Sequence, residues 1–276
     1  MQRAALPFAA AHAVEVGAWM LPTLTAAPCD DDQPATIQEQ SKESLQKLDS
    51  LAAAVRDSAP RGLFHDAVPP GDDKTMTQPP VSHQQLREQL TVLAQELRLN
   101  QGFKVKPFEW LYEQLQPLLL PSVLSRNWGI PLALSIVYTC VGLRLGVSLL
   151  PQKVRQSPTE ADLTAGILGS VSALPPGPDA WLLHPNDMGG PTSSRDALYL
   201  DAAVGKVLTA AECRNLHPHH AGTALGPNAV WAESMRVAVM AHQRAGDGDA
   251  VAHCIYQLLA LDLNAPEWAT MLASRP

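Results

Sequence analysis

The chain has 276 residues, 46% of them apolar and 17% charged, enough for one large domain, or one with an appendage, around a sizeable buried core. A formal net charge of −7, with four Phe and four Tyr, argues against a nucleic-acid binder, which needs a basic face for phosphates and aromatic platforms for bases. No apolar run approaches the roughly 20 residues that a bilayer span takes. Four scattered cysteines (Cys29, Cys140, Cys213, Cys254) without a CxxC pair read as reduced thiols of a soluble intracellular protein.

Residues 1–27 carry a helical apolar pattern that is expected to end near Pro22. The Ala-rich opening has one Arg and no acid before Glu15. It reads as a first helix rather than as the remnant of an organelle transit peptide, so the cytoplasm is favoured over a plastid. Pro28 and Pro34 bracket three acids and break the pattern. From Gln38 to Arg56 the helical period returns, with Leu45, Leu48, Leu51 and Val55 as its apolar stripe. Pro60 to Pro80 is proline-rich and polar and reads as an exposed loop.

Ser82 is placed to cap a helix through Leu97, with Leu86, Leu90, Leu93 and Leu97 as the buried face. Further helices are expected at Pro107–Leu120 and at Leu132–Leu145. Pro131 stands before the second and Gly146 after it. Apolar on most sides, this helix belongs at the centre of a domain. Between Pro151 and Asp196 the composition turns to Pro, Gly, Ser and Thr. Ala180-Trp181-Leu182-Leu183 and Ala197-Leu198-Tyr199-Leu200 read there as paired strands. Helical periodicity resumes at Asn228, interrupted by Gly246-Asp247-Gly248-Asp249. This last pair is similar to one tetratricopeptide unit, too short for a solenoid and expected to pack as a helical hairpin. The expected division is 1–58 for the N-terminal helices, 59–81 for the loop, 82–227 for the core and 228–276 for the hairpin.

The most specific stretch is Val123-Leu124-Ser125-Arg126-Asn127-Trp128-Gly129-Ile130-Pro131-Leu132-Ala133-Leu134-Ser135-Ile136-Val137-Tyr138, closed by Leu143-Arg144-Leu145-Gly146-Val147. It resembles the transglutaminase-like domain of the bacterial SirB-one family, which also occurs in a eukaryotic F-box-only protein. Glu43–Ala52 resembles that family's early helix. Leu198–Cys213 resembles its strand, aspartate, glycine and following helix start. The resemblance spans roughly residues 40–267 and implies an α+β fold, mainly helical, with a small antiparallel sheet. No F-box and no hemimethylated-DNA-binding segment is recognisable in this sequence.

The wider superfamily implied by the resemblance works with a Cys at the start of a central helix, a His on a strand and an Asp on the next strand. Here the helix opens at Pro131, at the spacing from Leu145-Gly146 that the nucleophile would have, and proline cannot attack a carbonyl. Pro178-Asp179-Ala180 best matches the family's Pro-Gly-His entry to the strand, which makes Ala180 the histidine position. Asp201 retains the aspartate. Ser125 departs from the acid the family usually carries beside the arginine.

No other thiol is well placed to substitute. Cys140 lies half a turn out of phase with Pro131 at about 100° per residue. Cys213 opens a helix with no base visibly beside it, and Cys254 reads as core. His184 has the strand parity of Ala180 but no nucleophile to serve. His217, His219 and His220 lack the spaced carboxylates or thiols of a metal site, so neither metal nor cofactor is expected.

The chain is therefore expected to be a pseudoenzyme, a scaffold or regulator acting on a protein partner. Arg126, Trp128 and Asp201 are the candidate contacts lining the relic cleft. The alternatives are a cysteine-dependent hydrolase or transferase with a displaced thiol, and a substrate adaptor in a ubiquitin-ligase assembly.

Overall fold

A computed structural model describes residues 6–25, 33–64, 81–105, 115–154, 180–185, 197–217 and 226–261. The first helix, α1 (Leu6–Thr25), runs past Pro22 rather than ending there. A proline in the last turn forfeits one backbone bond without breaking what precedes it. The second, α2 (Gln33–Ser58), starts earlier than its apolar stripe suggests, with Pro34 in its first turn. Leu48, Leu51 and Val55 are buried as expected, but Leu45 is 39% exposed and Ser44 takes its place. At about 100° per residue, Ser44 falls close to the centre of the buried face and Leu45 at its outer edge.

Ser82 caps α3 (His83–Gln95), its hydroxyl accepting from the Gln85 N–H at 3.1 Å. Leu86, Leu90, Leu93 and Leu97 are all buried. The helix then widens into a π-helical turn (Glu96–Asn100). Here the buried Glu96 carboxylate accepts from Asn100 at 2.5 Å and from Gln101 at 3.0 Å. Residues 106–114 lie outside the described part, and the segment 115–119 is turn rather than the end of a helix. The helix missed from the sequence is the next one, α4 (Leu120–Arg126). Cys29, His219, His220 and most of the Pro60–Pro80 loop also lie outside the described residues.

The central helix α5 (Pro131–Arg144) forms where the sequence places it, with every residue from Leu132 to Gly142 buried. Its buried Ser and Thr hydroxyls are satisfied within the helix: Ser135 donates to the Pro131 carbonyl and Thr139 to the Ser135 carbonyl, both at 2.9 Å. Gly146, at φ 75°, ends it. The Val147 N–H bonds to the Gly142 carbonyl at 2.8 Å and the Gly146 N–H to the Leu143 carbonyl at 3.2 Å, a complete Schellman closure.

A two-residue parallel pair, β1 (Lys104–Val105) with β2 (Trp128–Gly129), stands beside the start of α5. The main sheet is antiparallel in the order β3 (Leu149–Val154), β4 (Ala180–Pro185), β5 (Leu198–Asp201) and β6 (Lys206–Thr209). The β4–β5 pairing agrees with the sequence expectation, whereas the strands at its edges were hidden, β3 by its Pro151. Thr209 and Glu212 close a reciprocal capping box on α6 (Ala210–Leu216).

The C-terminal hairpin, α7 (Pro227–Ala245) and α8 (Gly248–Leu261), packs chiefly on α1, which in turn lies against α5. One hydrophobic cluster runs through α1, α2, α3, α5, one face of the sheet, and the hairpin. Arg144, at the end of α5, ties the N-terminal helices to it. Its guanidinium donates to Glu15 of α1 at 2.8 Å and Asp49 of α2 at 2.7 Å, while Arg56 donates to its carbonyl. The chain is α+β and mainly helical.

Candidate functional site

The start of α5 is built by a sharp approach. Asn127 adopts a left-handed backbone at φ 56° to end α4, a conformation that Asn tolerates better than most residues. Gly129 follows, where an added Cβ would come within 2.9 Å of the Pro117 carbonyl oxygen. The Ile130 N–H bonds to that same carbonyl at 3.0 Å. Pro131 is then the first helical residue, its fixed φ and absent N–H suited to the place. Arg126, exposed, donates to Gln116 at 2.7 Å and lies 5.8 Å over the half-buried Trp128 ring, a cation–π distance.

The sheet has two chemically different faces. Trp181, Leu183, Leu198 and Leu200 join the cluster that contains α5. Val154, Leu182, Tyr199 and Leu208 join a second cluster with Cys213 of α6. Register puts Leu182 opposite Asp201 and Val154 opposite Ala180. Leu182 and His184 on β4, and Tyr199 on β5, therefore belong to the face turned away from α5. The helix that Pro131 opens packs on the Trp181 and Leu183 face. His184 confirms the parity, its ring meeting Tyr199 edge-on at 5.4 Å.

Asp201 ends β5, and its carboxylate folds back onto the turn to β6. Oδ1 accepts from the Ala203 N–H at 2.9 Å and the Val204 N–H at 3.1 Å. Burial raises its pKa above the ordinary carboxylate value, offset in part by those bonds and by nearby His217 and Arg98. Arg98 and Asp201 also act on Tyr138, whose phenol is pushed up mainly by burial and has a hydroxyl with no hydrogen-bond partner. Tyr138 follows Pro131 by two helical turns on the same face of α5. This grouping of Arg98, Tyr138, Asp201 and His217 escaped the sequence reading. The phasing of Tyr138 with Pro131 was its one legible sign.

The described thiols are chemically quiet. Cys140, Cys213 and Cys254 are each buried, and burial raises all three pKa values, those of Cys213 and Cys254 to about 11. A raised pKa leaves the thiol protonated and a poor nucleophile near neutral pH. Among the described residues there is no cluster of His, Cys, Asp or Glu that could hold a metal ion. No described helix is long and apolar enough to cross a membrane.

No curated protein and no solved structure matches the chain. A family model described as transglutaminase-like superfamily matches residues 42–154. The match takes in α2 through β3, including Arg126, Trp128 and Pro131, and ends before Ala180 and Asp201. Over those residues, less than half of its length, the chain is similar to the transglutaminase-like superfamily.

Proposed function

We propose that the protein is a non-catalytic member of the SirB-one branch of that superfamily, acting as an intracellular scaffold or regulator through contacts with another protein. One observation carries the reading: the residue that opens α5, where the chemistry would need a thiol, is Pro131. The strand parities support it, since neither residue turned towards α5 from the middle of β4, Trp181 or Leu183, can serve as a base. The buried, protonated thiols support it further. The exposed Arg126 over Trp128, at the mouth of the helix start, is the proposed partner contact. The α7–α8 hairpin, read as a single tetratricopeptide-like unit, serves burial or recognition.

Thiol labelling of the full chain tests this. With iodoacetamide near neutral pH, and sites resolved by mass spectrometry, none of the four cysteines is expected to react faster than free glutathione. A single cysteine reacting about tenfold faster than glutathione, and forming an acyl adduct with an activated ester, would establish the displaced-thiol enzyme instead.

A further inference from the structure

A cleft of about 510 Å³ opens between α2 and α4, lined by Glu43, Ser44, Lys47, Leu119, Pro121, Ser122, Leu124 and Ser125. Its size falls within the roughly 300–1,000 Å³ of small-molecule sites. Glu43 and Lys47 stand one helical turn apart on α2, in the Glu-to-Lys order that ordinarily pairs on a helix. They do not pair here. No ion pair joins them, and neither charge has another partner among the described residues. Glu43 is exposed and Lys47 half-buried at the edge of the cleft.

Opposite this pair of charges, Leu119, Pro121 and Leu124 provide an apolar wall, and Ser44 and Ser122 bring hydroxyls. Ser125 spends its hydroxyl proton on the Ser122 carbonyl at 3.0 Å. One carboxylate is too few for a metal ion, and Glu43 would repel a phosphate from Lys47. A peptide end offers one charge and would leave the other wall charge unmatched.

We propose that this cleft binds a free amino acid with an apolar side chain. Its ammonium is held by Glu43, its carboxylate by Lys47, and its side chain lies against Leu119, Pro121 and Leu124. The site does not depend on whether α5 ever carried a nucleophile. It deepens the scaffold reading only in suggesting what a scaffold could sense.

Calorimetric titration of the full chain with L-leucine, N-acetyl-L-leucine and L-leucine methyl ester tests the assignment. L-leucine is expected to bind, and each single-charge analogue about tenfold more weakly, a modest factor because both charges sit near solvent. Glu43→Gln should abolish the preference for L-leucine over its N-acetyl form, and Lys47→Met the preference over the ester. Both positions lie off the buried stripe of α2, so folding should persist. Ser125→Trp, filling the cleft, should abolish binding outright. No binding of L-leucine, equal binding of all three compounds, or unaltered preferences in both charge variants would each overturn the proposal.

Discussion

Asp201 has a structural task at the end of its strand. The resemblance makes it the orienting acid of a triad, whereas its carboxylate holds the Ala203 and Val204 N–H groups of a turn. Its folded pKa is raised chiefly by burial, so the sign of its contribution follows directly. Below the ordinary carboxylate range it is protonated in both states and costs nothing. As pH rises through the raised folded value, ionisation opposes burial and stability is lost. Asp201→Asn keeps an oxygen for the turn and removes that ionisation. Urea denaturation is expected to find the variant more stable than the native chain at neutral pH, with the difference vanishing at acid pH. A difference independent of pH would mean that the turn, not the charge, governs this position.

At the scale of elements, the docking of the hairpin is decided by one glycine. Gly17 on α1 leaves room for the Trp231 indole of α7, and an added Cβ would fall 1.6 Å from Trp231 Cε2. Gly17→Ala must therefore displace the indole or separate the helices, at a cost of about 1–3 kcal/mol for overpacking. The two positions should couple. In a double-mutant cycle followed by urea denaturation, Trp231→Ala is expected to cost less in the Gly17→Ala background than in the native one. Additive costs would show that the helices meet elsewhere. A similar close approach occurs at Gly142, where a Cβ would meet the Val147 carbonyl oxygen at 2.9 Å, so the turn from α5 into β3 also depends on a missing side chain.

At the scale of the molecule, α1 is the layer between the central helix and the C-terminal hairpin. Lys153 of β3 reaches across to Glu233 of α7 at 2.7 Å, linking the sheet to the same hairpin. Removing residues 227–276 would uncover the face of α1 that receives Trp231 and remove Glu233 from Lys153. The full chain is expected to unfold in one cooperative thermal transition. The shortened chain should melt earlier and bind a hydrophobic dye before melting, as followed by circular dichroism and dye fluorescence. An unchanged midpoint would make the hairpin an independent appendage.

What the sequence determined by itself is local or periodic. The cap at Ser82, the leucine stripe behind it, Pro131 as the first residue of a buried helix, and Gly146 as its end all follow from backbone chemistry within a few residues. So does the β4–β5 pairing, written in two short apolar runs. The tertiary structure decided what depends on distant neighbours. The strand β3 was obscured because a proline at a sheet edge reads as loop until its partner strand is known. The buried side of α2 required knowing which of Ser44 and Leu45 faces inwards. The decisive case is the candidate site. The sequence could name Pro131, Ala180 and Asp201 by spacing along the chain. Only packing decided which strand residues turn towards α5, Trp181 and Leu183 rather than Leu182 and His184, because alternate residues of a strand turn to opposite sides and one step in register exchanges them.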